Sequence, residues 1–176
     1  MSATFNTERL QRLSTTAQLE IDQQRIAGCA VGVGNENGLQ LESYQGLANA
    51  EDSIPVSADT LFRIASMTKP ITSVAIMMLY ERGKFLLDDA VERYMPEFSN
   101  MQVFSGQRDE QGNAVTRPAK SSITIRQLLS HSSGIGYSFS HPKLAGYYKG
   151  SNIRDWGYSD GTTIKDVVLR IAEQPL

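Results

Sequence analysis

The sequence predicts an α/β fold of the α+β kind, an antiparallel sheet flanked by helices. Three observations lead there. An amphipathic helical pattern comes first, two strand-like runs joined by a turn follow, and a strongly apolar helix comes after them. Leu10, Leu13, Ala17 and Ile21 recur at helical spacing with Glu, Arg and Gln between them, which predicts a helix over 6–26 ended by Gly28. Residues 30–34 are small and apolar and 39–48 form the second strand candidate. Asn35, Glu36, Asn37 and Gly38 between them supply the turn of a β-hairpin.

Residues 51–60 read as a loop containing Pro55, and a helix is expected over 66–82. Ile71, Val74, Ala75 and Met78 would be its buried stripe, Pro70 sits in the first turn, and Gly83 falls where a C-terminal glycine cap belongs. Asp88 and Asp89 precede a short capped helix over 90–94. Residues 99–122 are polar without a clear period and read as a long loop. Thr124 can cap a short helix to Leu129, and 130–160, rich in Gly, Ser and Tyr, reads as a binding region or lid. Thr162 or Thr163 caps a last helix with Ile164, Val167, Val168 and Ile171 inward. The expected organisation is a helix and hairpin over 1–60 and a helical region over 61–176.

With 176 residues, 40% hydrophobic and 20% charged, the chain is long enough for one packed core and too apolar for disorder. A net charge of -2 suggests neither nucleic acid nor an anionic membrane as partner. The apolar stretch near 71–80 is too short to span a bilayer. Cys29 is the single cysteine, so no internal disulfide can form. The first residues lack a basic region followed by an apolar run, and a cytoplasmic location is the default expectation.

The chemistry centres on Ser66-Met67-Thr68-Lys69. A serine hydroxyl needs a neighbour to take its proton before it attacks a carbonyl. Positions i and i+3 share a helix face, so Lys69 can reach the Ser66 oxygen. A helix start favours a neutral amine through desolvation and the positive end of the helix dipole, and it offers a backbone N–H to a developing oxyanion. The spacing alone is weak. At residue frequencies of roughly 6–7% a match arises about once by chance in a chain this long, and Ser140-His141-Pro142-Lys143 matches too. Ser66 opens an apolar helix, whereas Pro142 discourages one at Ser140. The alternative for Ser66 and Lys69 is a helix N-cap serine beside a solvated lysine.

The run Leu61-Phe62-Arg63-Ile64-Ala65-Ser66-Met67-Thr68-Lys69-Pro70-Ile71-Thr72 resembles the nucleophile block of the serine β-lactamase and penicillin-binding-protein family. It is most similar to class C β-lactamases and family VIII carboxylesterases. The segment from Tyr80 to Asp89 resembles that family's helix end and following "LxDxV" segment, and the segment from Ile123 to Gly134 resembles its "TIRxLLxHTSGL" block. Three blocks in order imply a β-lactamase-like fold with Ser66 as nucleophile and Lys69 as base, acting without a cofactor. The resemblance also implies a catalytic tyrosine and a late strand motif supplying a second oxyanion donor, and neither is found by its pattern in 1–176. The chain is therefore expected to be the N-terminal portion of a protein about twice as long, or a truncated gene. Alone it would be a poor catalyst that self-associates through its hairpin or is rescued by a C-terminal partner chain.

Other residues carry weaker readings. Trp156-Gly157-Tyr158-Ser159 precedes the helix that comes before the family's tyrosine block, so Tyr158 is better read as a loop or lid aromatic. The resemblance makes His131 a structural residue hydrogen-bonded at a helix end, and His141 reads as solvated loop. Asp88 and Asp89 are adjacent and read as helix caps, and no metal-ligand spacing is present. Tyr137, Tyr147, Tyr148 and Trp156 either line an acyl or alcohol pocket or pack a lid. The expected function is a carboxylesterase on short acyl esters. The rivals are a β-lactamase or D-Ala-D-Ala peptidase, and a catalytically incomplete remnant that binds substrate.

Overall fold

The structure is a computed structural model and describes residues 5–139, 142–154 and 157–176. The chain forms two compact units, Met1–Ala65 and Ser66–Leu176, a division a few residues later than the sequence suggested.

In the first unit, helix α1 (Thr7–Asp22) starts where Asn6 accepts a bond from the Arg9 backbone N–H. Ala17 is buried on its inner face, and the Gln45 amide donates to the Ser14 carbonyl at 3.1 Å, which ties α1 to the sheet. Strand β1 (Gly28–Asn35) and β2 (Gly38–Asn49) pair antiparallel, as the turn residues predicted, and a two-residue β3 (Ile54–Pro55) adds to the far side of β2. The glycines at the hairpin's open end are steric requirements. A Cβ on Gly28 would lie 2.6 Å from the Leu47 carbonyl oxygen, and Gly46, at φ 71°, would drive one to 2.3 Å from the Ala27 oxygen.

The second unit begins with the 3-10 turn Ala65–Met67 running into α2 (Thr68–Glu81). Gly83, at φ 64°, ends it, its N–H bonded to the Tyr80 carbonyl. The expected buried stripe is a correction. Ile71, Val74 and Met78 are 63%, 61% and 47% exposed, and Ala75 is exposed as well. A helical period identifies residues that share a face; it says nothing about what lies opposite that face.

The core sits further along, where Val91, Phe98, Met101 and Ile123 are buried together. Two 3-10 turns, Val91–Arg93 and Pro96–Phe98, carry the first two residues. The 90–94 segment is thus a single tight turn, and its start has no side-chain cap. A second correction concerns 99–122. The expected loop contains an antiparallel hairpin, β4 (Gln102–Arg108) with β5 (Ala114–Pro118). Its polar strands hid the period, yet the turn had a legible signal: Asp109 accepts bonds from the backbone N–H groups of Gln111 and Asn113. Leu176 joins the edge of β4, donating to the Gln102 carbonyl at 2.7 Å and accepting from the Phe104 N–H at 2.9 Å. Helices α3 (Ile125–Leu129) and α5 (Ile164–Ala172) each open on a full capping box, Thr124 with Gln127 and Thr163 with Asp166. Ile125, Val168 and Ile171 turn their apolar sides onto the core. A helix α4 (Pro142–Gly150) occupies part of the region read as a lid. No helix among the described residues is long and apolar enough to cross a membrane.

Candidate active site

Ser66 lies in the 3-10 turn and Lys69 one turn on, in the first turn of α2. Lys69 Nζ donates to Ser66 Oγ at 2.9 Å. The N-cap alternative for Ser66 is not what the backbone does. Met67 holds the cap position, with φ −65° and ψ −13°, and no side chain caps the helix. The Ser66 hydroxyl is turned to the lysine instead of to the backbone. Ala65, immediately before it, has φ 43°, a left-handed conformation that costs a non-glycine residue about 1 kcal/mol. Strain of that kind collects where a chain must aim a particular side chain.

Behind the pair stands Tyr137, whose ring centroid is 5.6 Å from Lys69 Nζ, within reach of a cation–π attraction. Phe139 stacks on Tyr137 with centroids 5.0 Å apart and planes 13° from parallel. Tyr137 also forms part of the wall of a cavity of about 290 Å³. This juxtaposition was not legible in the sequence, because 68 positions separate the lysine from the tyrosine (137 − 69).

The other aromatic candidates separate. Tyr148 is 2% exposed, and its hydroxyl accepts the Gly136 N–H at 3.1 Å, so it is both core and cavity wall. The Tyr147 hydroxyl accepts from Arg108 at 2.9 Å, and its ring lies near Phe104 on β4. Tyr158 donates to the Asn152 carbonyl and accepts the Arg154 N–H, a loop-closing role. Ser140, His141 and Trp156 lie outside the described residues. His131 follows α3 at φ 56°, its N–H bonded to the Leu128 carbonyl, and it lines the same cavity as Tyr137.

Asp88 and Asp89 do not cap a helix. Asp88 takes both Nε and Nη2 of Arg126, at 2.7 and 3.0 Å, and these bonds hold its carboxyl below the usual range. Asp89 is lowered first by the Leu86 backbone N–H at 2.9 Å and then by the Tyr94 hydroxyl at 2.7 Å. That bond in turn pushes the Tyr94 phenol up. Asp88 thus ties the segment after α2 to α3, while Asp89 braces the turn from Leu86 to Tyr94. Among the described residues no group of three or more His, Cys, Asp or Glu is placed to hold a metal ion.

Residues 10–176 match the family model described as Beta-lactamase. The chain belongs to the beta-lactamase family. Within that family it is similar to "Esterase EstB" of Burkholderia gladioli, 34% identical over 170 residues, covering 94% of this chain and 38% of the relative. A shorter match, 43% over 93 residues, is to "Monacolin J acid methylbutanoyltransferase" of Aspergillus terreus, covering 53% of this chain and 22% of that one. Among solved beta-lactamase-fold structures, "EstCE1, a hydrolase with promiscuous acyltransferase activity" superposes with a TM-score of 0.77 at 30% identity, over 94% of this chain and 40% of that chain. The chain thus spans about two fifths of the length of EstB and EstCE1. The β-lactamase-like fold expected from the three sequence blocks is the fold observed.

Proposed function

We propose that the protein acts as a serine hydrolase through an acyl-enzyme, as a carboxylesterase on short acyl esters. The observation that carries this is the 2.9 Å contact between Lys69 Nζ and Ser66 Oγ at the start of α2. In the proposed reaction Ser66 Oγ bonds to the ester carbonyl carbon while its proton passes to Lys69. The Ser66 backbone N–H is one donor to the oxyanion. The carbon–oxygen bond to the alcohol then breaks, and the alcohol leaves with the proton from Lys69. Water attacks the acyl-serine carbonyl while Lys69 takes its proton, the bond from that carbon to Ser66 Oγ breaks as Lys69 hands the proton to Oγ, and carboxylic acid and free Ser66 result.

A second reading is supported by relatives whose names describe acyl transfer. The same acyl-serine can be discharged by an alcohol instead of water, giving a new ester. Both share the first half-reaction, and that step is the one to test. An activated nitrophenyl methylphosphonate asks for a single bond-forming event at Ser66 and needs no complete turnover. Peptide mass spectrometry should place the adduct on Ser66. An adduct on Ser140 or on another serine would overturn the assignment. Side-by-side turnover of nitrophenyl acetate and nitrocefin, with and without an added alcohol, then separates esterase, acyltransferase and β-lactamase chemistry.

A further inference from the structure

Several cations of this chain lie over aromatic rings. Arg93 sits over Tyr94, Arg108 over Tyr147 and Arg154 over Tyr158, at 5.8, 4.9 and 5.3 Å from the ring centroids. A guanidinium is charged at all times, so those rings face a constant partner. Lys69 is different, because in the proposed reaction its amine gains a proton only as Ser66 loses one. Its Nζ is 2.9 Å from Ser66 Oγ and 5.6 Å from the centre of the Tyr137 ring. Among the described residues no carboxylate forms an ion pair with Lys69. The ring is therefore at hand where the charge forms and a counter-ion is not. The segment that carries it is held in place. Ile135 packs on the core, the Gly136 N–H donates to the buried Tyr148 hydroxyl at 3.1 Å, and Phe139 stacks on Tyr137 with the two planes 13° apart.

We propose that the face of Tyr137 stabilises the ammonium that Lys69 becomes as Ser66 attacks the carbonyl carbon, and so speeds formation of the acyl-enzyme. The inference rests on the reading of Ser66 as nucleophile and Lys69 as base. The π face of a ring is electronegative, and it attracts an ammonium far more than a neutral amine. A contact that is stronger in the transition state than before it accelerates the chemical step, whereas one that is equal in both does not. Tyr137 acts through Lys69 and is thus a positioning residue for the charge on the base. Its side chain is 40% exposed, so the contribution belongs to the weaker, solvated class of such contacts, about two- to fivefold in rate.

The test follows labelling by nitrophenyl methylphosphonate. Ser66 Oγ bonds to phosphorus, nitrophenolate leaves with the bonding pair, and the hydroxyl proton passes to Lys69 Nζ. Tyr137→Leu should lower the second-order rate by about two- to fivefold. Tyr137→Phe, which keeps the ring and drops the hydroxyl, should label close to the wild-type rate. Phenylalanine analogues carrying one, two and three ring fluorines at position 137 should then lower the rate stepwise toward the leucine value. Fluorine drains the electron density of the ring face and barely changes its shape, so a merely structural role would give a flat series. A flat series, or a loss in Tyr137→Phe equal to that in Tyr137→Leu, would overturn the proposal.

A second measurement reads the contact without the chemistry. The ring current of Tyr137 should move the Lys69 ε-methylene proton signals upfield. Tyr137→Leu should return them to their ordinary position, and the trifluoro analogue should leave them displaced while its labelling slows. Signals at the ordinary position in the wild-type chain would overturn the contact and the proposal with it. Displaced signals with no labelling of Ser66 in the wild-type chain would overturn the reading of Ser66 as nucleophile, and the ring contact would then be structural alone.

Discussion

Replacing Lys69 by arginine separates its proposed role as base from everything else the lysine does. Arginine keeps the positive charge, can still donate to Ser66 Oγ across the span that Lys69 Nζ covers at 2.9 Å, and stacks on an aromatic ring as readily as lysine does, so the Tyr137 contact survives. What it lacks is a lone pair able to receive the serine proton. A positioned general base contributes about 10²–10⁴ in rate, equivalent to roughly 2.7–5.4 kcal/mol of barrier. Loss of a nucleophile or base that acts as one unit can approach ~10⁶. The expected outcome of Lys69→Arg is thus a fall of at least about a hundredfold in the rate of Ser66 phosphonylation. The Lys69 contact with Ser66 is exposed, so the free energy of unfolding should move by no more than about 0.5 kcal/mol. Nitrophenolate release under single-turnover conditions reads the first quantity, and urea denaturation reads the second. Labelling within tenfold of wild type would refute the assignment of Lys69 as base. A loss of more than about 1 kcal/mol of stability with a matching loss of labelling would show the lysine to be structural.

Three further outcomes follow from the geometry. Thr163→Ala removes one half of the capping box at the start of α5 and should cost about 1 kcal/mol, seen as a lower denaturation midpoint. Ile123→Ala empties a fully packed position in the core and should cost about 2–5 kcal/mol by the same assay. Asp88, Asp89, Asp109 and Asp166 all have carboxyls held below their ordinary value by hydrogen bonds made on folding. Their contribution is fully present above the ordinary carboxylate range, near 4, and is lost as pH falls through the lowered folded values. Stability should therefore decline from pH 5 to pH 3, and Asp89→Asn should flatten that decline; an unchanged slope would mean these bonds persist in the unfolded chain.

Local rules decided much of this protein before any fold was known. The hairpin turn at residues 35–38, the glycine stop at Gly83 and the cap at Thr124 are written within four or five residues and formed as read, and of Thr162 and Thr163, both offered as the last cap, Thr163 takes it. The Ser66–Lys69 contact is of the same kind, because one helical turn brings i and i+3 together whatever surrounds them. Even there the sequence left open whether Ser66 caps the helix. The 3-10 entry, with Met67 in the cap position, decided that.

Everything that depends on what lies opposite a residue needed the tertiary structure. Asp88 and Asp89 look like caps until Arg126, 38 positions from Asp88, closes on the first of them. The stripe of α2 has the period of a buried face, yet Ile71 and Val74 are open to solvent. The β4–β5 hairpin carries a polar surface that blurs its alternation, and pairing through backbone groups leaves no mark on side-chain composition. Tyr137 meets Lys69 only because the chain after α3 folds back toward the start of α2. Sequence spacing fixes contacts inside one helical turn or one hairpin. Contacts between elements arise from three-dimensional packing, in which any of several aromatic residues could have reached the lysine and Tyr137 is the one whose backbone path brings it there.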